Sequence, residues 1–271
     1  MSWALAKMNF HHLPLRNAIA AASRLRILDF EHQGLSKMSW SCATLPFQNH
    51  PLLEAIASAS RANIRDFDPQ GCANMAWAYA RLRVRHTPLL KAIASASIRK
   101  LRVFRMQEMT NPAWAYAKLP VDDGPLLQAI SAQAIPRIPD FSPRDLGNPA
   151  WAFSTLRCRD GPLLEAIASS ARRKITDSNT QALTNMPWSF AALGMPHTTL
   201  LHAIAAQSLP KLCHFGTQGL ANTAWACSTL GFRDGPLLAA LASSSLRKIA
   251  LFIPQELTNP SWSVSTLRLG D

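Results

Sequence analysis

Basic side chains recur in this 271-residue sequence at places where they could bind the phosphates of a polyanion. The chain has 28 Lys and Arg against 16 Asp and Glu, a formal net charge of +12. Twelve cations fall in short windows that repeat every 37 residues and hold no acidic residue: Arg24, Arg26, Arg61, Arg99, Lys100, Arg137, Arg172, Arg173, Lys174, Lys211, Arg247 and Lys248. Such a row predicts phosphate binding. A second interpretation stays open, because a cation at a helix C-terminus also stabilises the helix dipole.

Amides and small polar side chains form a second recurring set, placed around a tryptophan with helical spacing. Asparagine stands three residues before the tryptophan, at Asn74, Asn111, Asn148, Asn185, Asn222 and Asn259, and glutamine mostly stands seven before it. The position four residues after it varies, with Lys7, Thr44, Arg81, Lys118, Thr155 and Thr229. These groups suit base edges, as in proteins that read one base per repeat. For the near-constant amides we favour a structural role at helix termini, since an unvarying residue cannot encode sequence.

The tryptophans set the period of the chain. They stand at Trp3, Trp40, Trp77, Trp114, Trp151, Trp188, Trp225 and Trp262, every interval being 37 residues. A fixed period of this length indicates a repeat array. Exposed aromatics can stack on single-stranded nucleic acid, but the apolar neighbours of each tryptophan predict a core position instead. The same segments predict that Tyr79, Tyr116, Phe153 and Phe190 are core residues and that Cys42, Cys72 and Cys227 are buried thiols.

Two helices per repeat would position these side chains. Proline eleven residues after most tryptophans, followed by Leu-Leu as in Pro88-Leu89-Leu90, predicts the start of a second helix. The first helix carries the tryptophan, with Asp68 or Ser142 as its N-cap. Pro112, Pro149, Pro187 and Pro260 fall inside first helices, which are therefore either kinked or broken into two pieces capped by asparagine. Helix pairs without strand signals predict an all-α solenoid, a single domain of about seven repeats over residues 1–271.

The repeat unit resembles a known family of organellar proteins. Its consensus, P-Q-x-L-x-N-x-A-W-A-x-A-x-L followed by P-L-L-x-A-I-A, is best seen in residues 69–82 and around Asn222 and Trp225. It resembles the heptatricopeptide repeat of the FAST-kinase-like and RAP-domain proteins and is similar to octotricopeptide repeats. The resemblance implies an α-solenoid that binds single-stranded RNA in mitochondria or plastids, with organellar mRNA or ribosomal RNA as target and roles in RNA processing, stability, ribosomal RNA maturation or translation.

Other classes of function find less support in the residues. The apolar runs are too short to span a membrane. The histidines lack metal-ligand spacing, and no catalytic constellation is seen, so we expect no cofactor, no metal and no enzymatic activity. The main hypothesis is non-catalytic binding of single-stranded RNA. The alternative is a protein-interaction scaffold of the armadillo or HEAT kind. Because both ends cut through a repeat, the chain is expected to be a fragment, and its basic first residues fit the repeat better than a targeting segment.

Overall fold

The computed structural model describes residues 1–257 of the chain, apart from the side chain of Arg144. Within that range it holds fourteen complete α-helices, four further helical residues at 254–257, and no β-strand. The first helices of the pairs are α1 (Ser2–Lys7), α3 (His32–Thr44), α5 (Pro69–Arg81), α7 (Met106–Lys118), α9 (Pro143–Thr155), α11 (Thr180–Ala192) and α13 (Thr217–Thr229). The second helices are α2 (Leu13–Leu25), α4 (His50–Ala62), α6 (Thr87–Lys100), α8 (Gly124–Ala134), α10 (Gly161–Arg173), α12 (Thr198–Ser208) and α14 (Gly235–Arg247). The predicted all-α solenoid is confirmed.

Short 3-10 segments follow the second helices and lead to the next repeat. They are Ile27–Asp29, Leu101–Val103, Ile135–Asp140, Ile175–Asp177, Leu209–His214 and Ile249–Leu251. The chain then reaches a buried residue, for example Phe67, Phe104 or Phe215, just before the next first helix. These aromatic side chains anchor their connections in the core.

The chain divides into two compact units, residues 1–134 and 135–271. In the first unit α1, α3, α5 and α7 pack side by side as one layer, and α2, α4, α6 and α8 as another. In the second unit α9, α11 and α13 form one layer, and α10, α12 and α14 the other. The prediction of one uninterrupted domain over residues 1–271 stays a prediction.

The starts of the helices follow local sequence signals. Asp123, Asp160 and Asp234 each accept a hydrogen bond from the backbone N–H three residues later, at 3.0 to 3.1 Å. Asp68 and Ser142 do the same for α5 and α9, as the sequence predicts. These caps satisfy N–H groups that have no partner inside the helix.

Prolines inside the first helices do not break them. Pro112, Pro149 and Pro187 are buried within α7, α9 and α11, each a single α-helix of thirteen residues. The expectation of two pieces capped by asparagine is therefore wrong. Each ring gives up one backbone hydrogen bond, and the helix continues through it.

The core lies between the two helix layers of each unit. Tyr79, Tyr116, Phe153 and Phe190 are at most 2% exposed, as predicted. The Tyr79 hydroxyl donates a 2.6 Å hydrogen bond to the carbonyl of Leu53, which ties the first helix of one repeat to the second helix of the repeat before it. The thiols of Cys42, Cys72 and Cys227 are buried as predicted.

Candidate nucleic-acid interface

Four positions share one surface of each first helix, which we call the tryptophan face. It comprises the residues seven and three before the tryptophan, the tryptophan itself, and the residue four after it. Steps of four, three and four residues keep side chains on one side of an α-helix. Gln33, Gln70, Gln107, Gln181 and Gln218 are exposed there, and the asparagines beside them are half-buried. The first helices thus bring the predicted base-contacting residues together, except Asn259, which lies outside the described residues.

The amides of the tryptophan face are available to a ligand. The side chains of Asn74, Asn111, Asn148, Asn185 and Asn222 have no hydrogen-bond partner among the residues that the structure describes. Because helices α5, α7, α9, α11 and α13 run unbroken through these positions, the five asparagines are not helix caps. The structural role favoured from the sequence therefore has no support for these five residues.

The variable residues four after the tryptophan lie at the exposed edge of the same face. Lys7, Arg81, Lys118, Thr155 and Thr229 are exposed. Thr44 is half-buried and donates to the carbonyl of Trp40 at 2.9 Å. Glu108, six residues before Trp114, serves the fold instead, since it accepts the backbone N–H of Arg105 at 2.8 Å.

The prediction that tryptophans form the core is right only in part: Trp40 packs against the core residues Leu5, Ala6 and Leu45, but none of the described tryptophans is fully buried. Trp3 is 47% exposed, and Trp40, Trp77, Trp114, Trp151, Trp188 and Trp225 are all half-buried. The aromatic residue two positions later fills the core in their place. The sequence does not separate the two positions, because both repeat with the same period among alanines.

Ring faces of the tryptophans are reached by other groups. The Nζ atom of Lys7 lies 5.6 Å from the ring centroid of Trp3 and 5.7 Å from that of Trp40, which is cation–π distance. In the second unit the rings of Trp188 and Trp225 have centroids 6.3 Å apart and are inclined by 37°. Tryptophans of consecutive repeats are therefore neighbours on this face.

A groove of about 440 Å³ opens on the tryptophan face of the first unit. Its walls include Trp3, Lys7, Lys37, Trp40 and Asn74, from three consecutive repeats. Lys37 occupies the asparagine position of its repeat and is exposed. Sequence reasoning missed it, although a lysine in place of asparagine was a visible signal. The groove combines cations, amides and aromatic rings within a volume typical of a small-ligand site.

Four lysines of the predicted phosphate-binding set are held within the fold. Each reaches back to the preceding repeat and donates to two backbone carbonyls, 35 and 33 residues earlier. Lys100 binds the carbonyls of Arg65 and Phe67, both at 2.6 Å. Lys174, Lys211 and Lys248 bind the carbonyls at the corresponding two positions of the repeats that precede them. We call these residues the lysine clamps, and we leave them out of the phosphate-binding surface proposed below.

The other cations of that set lie at the ends of second helices, in the layer that does not carry the tryptophan face. The exposed ones are Arg24, Arg26, Arg61, Arg99, Arg172, Arg173 and Arg247. Arg26 pairs with Asp29 at 3.0 Å, and Arg137 is half-buried with interactions of its own. Phosphate binding by these arginines stays a prediction. The two candidate surfaces predicted from the sequence thus belong to different helix layers.

Histidines in the loops between the helices of a pair serve as helix caps. His12, His86 and His197 accept the backbone N–H three residues later through Nδ1, at 3.0 to 3.2 Å. The described part of the chain holds no group of three or more His, Cys, Asp or Glu side chains that could bind a metal ion. None of the helices in residues 1–257 is long and apolar enough to cross a membrane.

Comparison with known proteins gives one family. The sequence model for the RNA-editing substrate-binding complex 6 protein (RESC6) matches residues 22–271. No curated protein matches the chain. The match runs through the repeats that carry the tryptophan face and the lysine clamps. Because it covers more than half of the chain, this protein, an RNA-associated helical repeat protein, belongs to the family of RNA-editing substrate-binding complex 6 proteins.

Proposed function

We propose that this protein is a non-catalytic RNA-binding subunit that holds single-stranded RNA along the tryptophan face of its first helices. The observation that carries the proposal is the set of half-buried asparagines that have no side-chain hydrogen-bond partner among the described residues, beside exposed glutamines and partly exposed tryptophans. Amides, hydroxyls and aromatic rings are the groups with which repeat proteins contact unpaired bases. The family name supports a role beside the RNA substrates of an editing complex.

Charge supports the same partner. Lys7, Lys37, Arg81 and Lys118 are exposed on the tryptophan face, where they can contact phosphates between the bases. The exposed arginines at the ends of the second helices extend the positive potential beyond this face. The net charge of +12 would also speed the encounter with a polyanion.

A binding titration tests the proposal. Labelled single-stranded RNA, the matching duplex RNA and single-stranded DNA are titrated with the full chain over a range of salt concentrations. We expect preference for single-stranded RNA and an affinity that falls as salt rises, because phosphate contacts release counterions. Equal affinity for duplex RNA, or no binding at low salt, would overturn the proposal. Selection from a random pool at about 0.15 M salt, where charges are screened beyond about 8 Å, then shows whether bases are read.

The cellular setting is part of the proposal. We place the protein in a mitochondrion or plastid and regard its repeats as heptatricopeptide-like, with mRNA or ribosomal RNA as target. A fluorescent fusion that stays outside both organelles would contradict this placement.

We also propose that the chain has no catalytic activity, so RNA incubated with it should be recovered intact and unmodified.

A protein scaffold is the second candidate, and one observation favours it. Leu25 and Leu28, at and after the end of α2, are 89% and 86% exposed, beside the exposed Arg24 and Arg26. Exposed leucines of this kind are suited to a protein contact. If other subunits of an editing complex bind the chain through α2, Leu25→Ser with Leu28→Ser should release them and leave RNA affinity unchanged. Release of RNA by the same pair of substitutions would count against the scaffold.

A further inference from the structure

The groove between the first two tryptophans has the parts of a nucleotide site. Trp3 and Trp40 come from consecutive repeats, and the ammonium of Lys7 lies within 6 Å of both ring centroids. Trp3 is 47% exposed, whereas Trp40 is half-buried and packs in part against the core residues Leu5, Ala6 and Leu45. Both tryptophans also line the groove, so part of their aromatic surface can be reached there.

Polar groups surround this aromatic surface on the side of the following repeat. Gln33, Lys37 and Asn74 line the same groove as the two rings. The carboxylate of Asp68 lines it as well, and it accepts the backbone N–H of Gly71 at 2.7 Å as the cap of α5. The Asn74 amide has no partner among the described residues, so its donor and acceptor can both meet the edge of a base. Lys7 and Lys37 can meet the phosphate. Ring, amide and cation in one groove match the three parts of a nucleotide.

We propose that Trp40, together with Trp3, is a stacking platform for an RNA base, and that the tryptophans of later repeats are further platforms. This inference rests on the proposed function and adds the mode of binding. The contact between Trp188 and Trp225 in the second unit shows that platforms of consecutive repeats adjoin. Stacking tolerates any base, because every base has an aromatic face. The tryptophans then hold the strand, and the amides and variable side chains beside them distinguish bases.

A matched pair of substitutions tests the platform. Trp40→Phe keeps an aromatic ring, whereas Trp40→Leu keeps apolar bulk and removes the ring. With a uridine oligonucleotide and the full chain, we expect Trp40→Leu to weaken binding about tenfold and Trp40→Phe to weaken it much less. Thermal unfolding of both variants measures any effect on folding. Equal affinities of the two variants and the unaltered chain would overturn the stacking inference.

A second measurement uses the unaltered protein and needs no variant to fold. Stacking should quench tryptophan fluorescence on addition of the uridine oligonucleotide, and an abasic oligonucleotide of equal length and charge should bind more weakly. Equal binding of both oligonucleotides without quenching would show that the chain binds phosphates alone, which overturns the platform and leaves RNA binding intact. A chain that binds neither oligonucleotide at low salt would instead overturn the proposed function itself.

Discussion

The two units of the chain build the same helix pairs but differ in the charge of their tryptophan faces. In residues 1–134 the asparagine position and the position four after the tryptophan include Lys7, Lys37, Arg81 and Lys118. In residues 135–257 the same positions hold Asn148, Asn185, Asn222, Thr155, Ala192 and Thr229, all uncharged. The one cation at the glutamine position of the second unit is Arg144. The first unit therefore suits phosphates, and the second suits neutral base edges.

Residues that build the fold do not differ in this way. A lysine clamp occurs in the first unit at Lys100 and in the second at Lys174, Lys211 and Lys248. Core aromatics two residues after the tryptophan are buried in both units. Both units thus use lysine clamps and buried aromatics to join repeats, while the charge of the positions on the tryptophan face differs between them. This contrast separates architecture from recognition within one repeat, and each prediction below tests one side of it.

Neutralising the tryptophan face of the first unit should have the largest effect. Lys7→Gln, Lys37→Gln, Arg81→Gln and Lys118→Gln together should weaken binding of single-stranded RNA on the order of 100-fold at low salt. The logarithmic salt slope should fall by about 3, since each lost phosphate contact removes about 0.7. Fluorescence anisotropy over a salt series measures both quantities.

The converse change in the second unit is the matched control. Thr155→Lys with Thr229→Lys adds cations at equivalent exposed positions, so the salt slope should rise by about 1.4 if RNA also crosses this unit. If the variant with all four substitutions in the first unit keeps the salt slope of the unaltered chain, the cations of its tryptophan face do not bind phosphate. The exposed arginines of the second helices would then be the remaining candidates.

The lysine clamps should affect stability and not RNA binding. Lys100→Met in the first unit and Lys174→Met in the second should each lower the free energy of unfolding by about 2 kcal/mol, because two backbone carbonyls lose a charged donor. Urea unfolding measures this cost. Arg99→Met and Arg173→Met, at exposed neighbouring positions, should change stability by less than about 0.5 kcal/mol. A clamp variant that keeps its stability but loses RNA affinity would return these lysines to the phosphate-binding surface.

Local signals in the sequence predicted much of the fold, and contacts between repeats explain what they missed. The capping roles of Asp68 and Ser142 could be predicted because each cap lies three residues from its partner. The clamp role of Lys174 could not be predicted, because its acceptors are backbone carbonyls that lie 33 and 35 residues earlier in the chain. The partial exposure of Trp40 could not be predicted from the sequence for a related reason. The position of Trp40 and the core position two residues later recur with the same 37-residue period, so only packing between repeats decides which of the two side chains is buried.

Buried thiols should make stability depend on pH in both units. Burial raises the pKa of the Cys42 thiol to about 11 in the first unit and that of the Cys227 thiol to about 12 in the second. The unfolded chain, with a thiol pKa near 9, loses the proton first, so stability falls as pH rises above about 9. At about pH 10 the deprotonation of each thiol in the unfolded chain should have lowered the free energy of unfolding by about 1 kcal/mol, relative to neutral pH. Urea unfolding at about pH 8 and pH 10 measures the change in the free energy of unfolding between the two pH values. This change should be smaller in Cys42→Ala and in Cys227→Ala than in the unaltered chain. An unchanged difference would contradict the assignment of the pH dependence to these thiols.

The turn after the first helix gives the smallest predicted effect. Arg83 in the first unit has φ 56°, and in the second unit Gly194 and Gly231, at the same position of their repeats, have φ 61° and 64°. A left-handed conformation costs a residue with a Cβ atom roughly 1–2 kcal/mol, but glycine also makes the unfolded chain more flexible by about 0.4–1 kcal/mol. Arg83→Gly should therefore raise the free energy of unfolding by only about 0.5 kcal/mol, measured in urea. Arg85→Gly, two residues later at an exposed position without positive φ, should lower it instead, because there the substitution adds flexibility and relieves nothing.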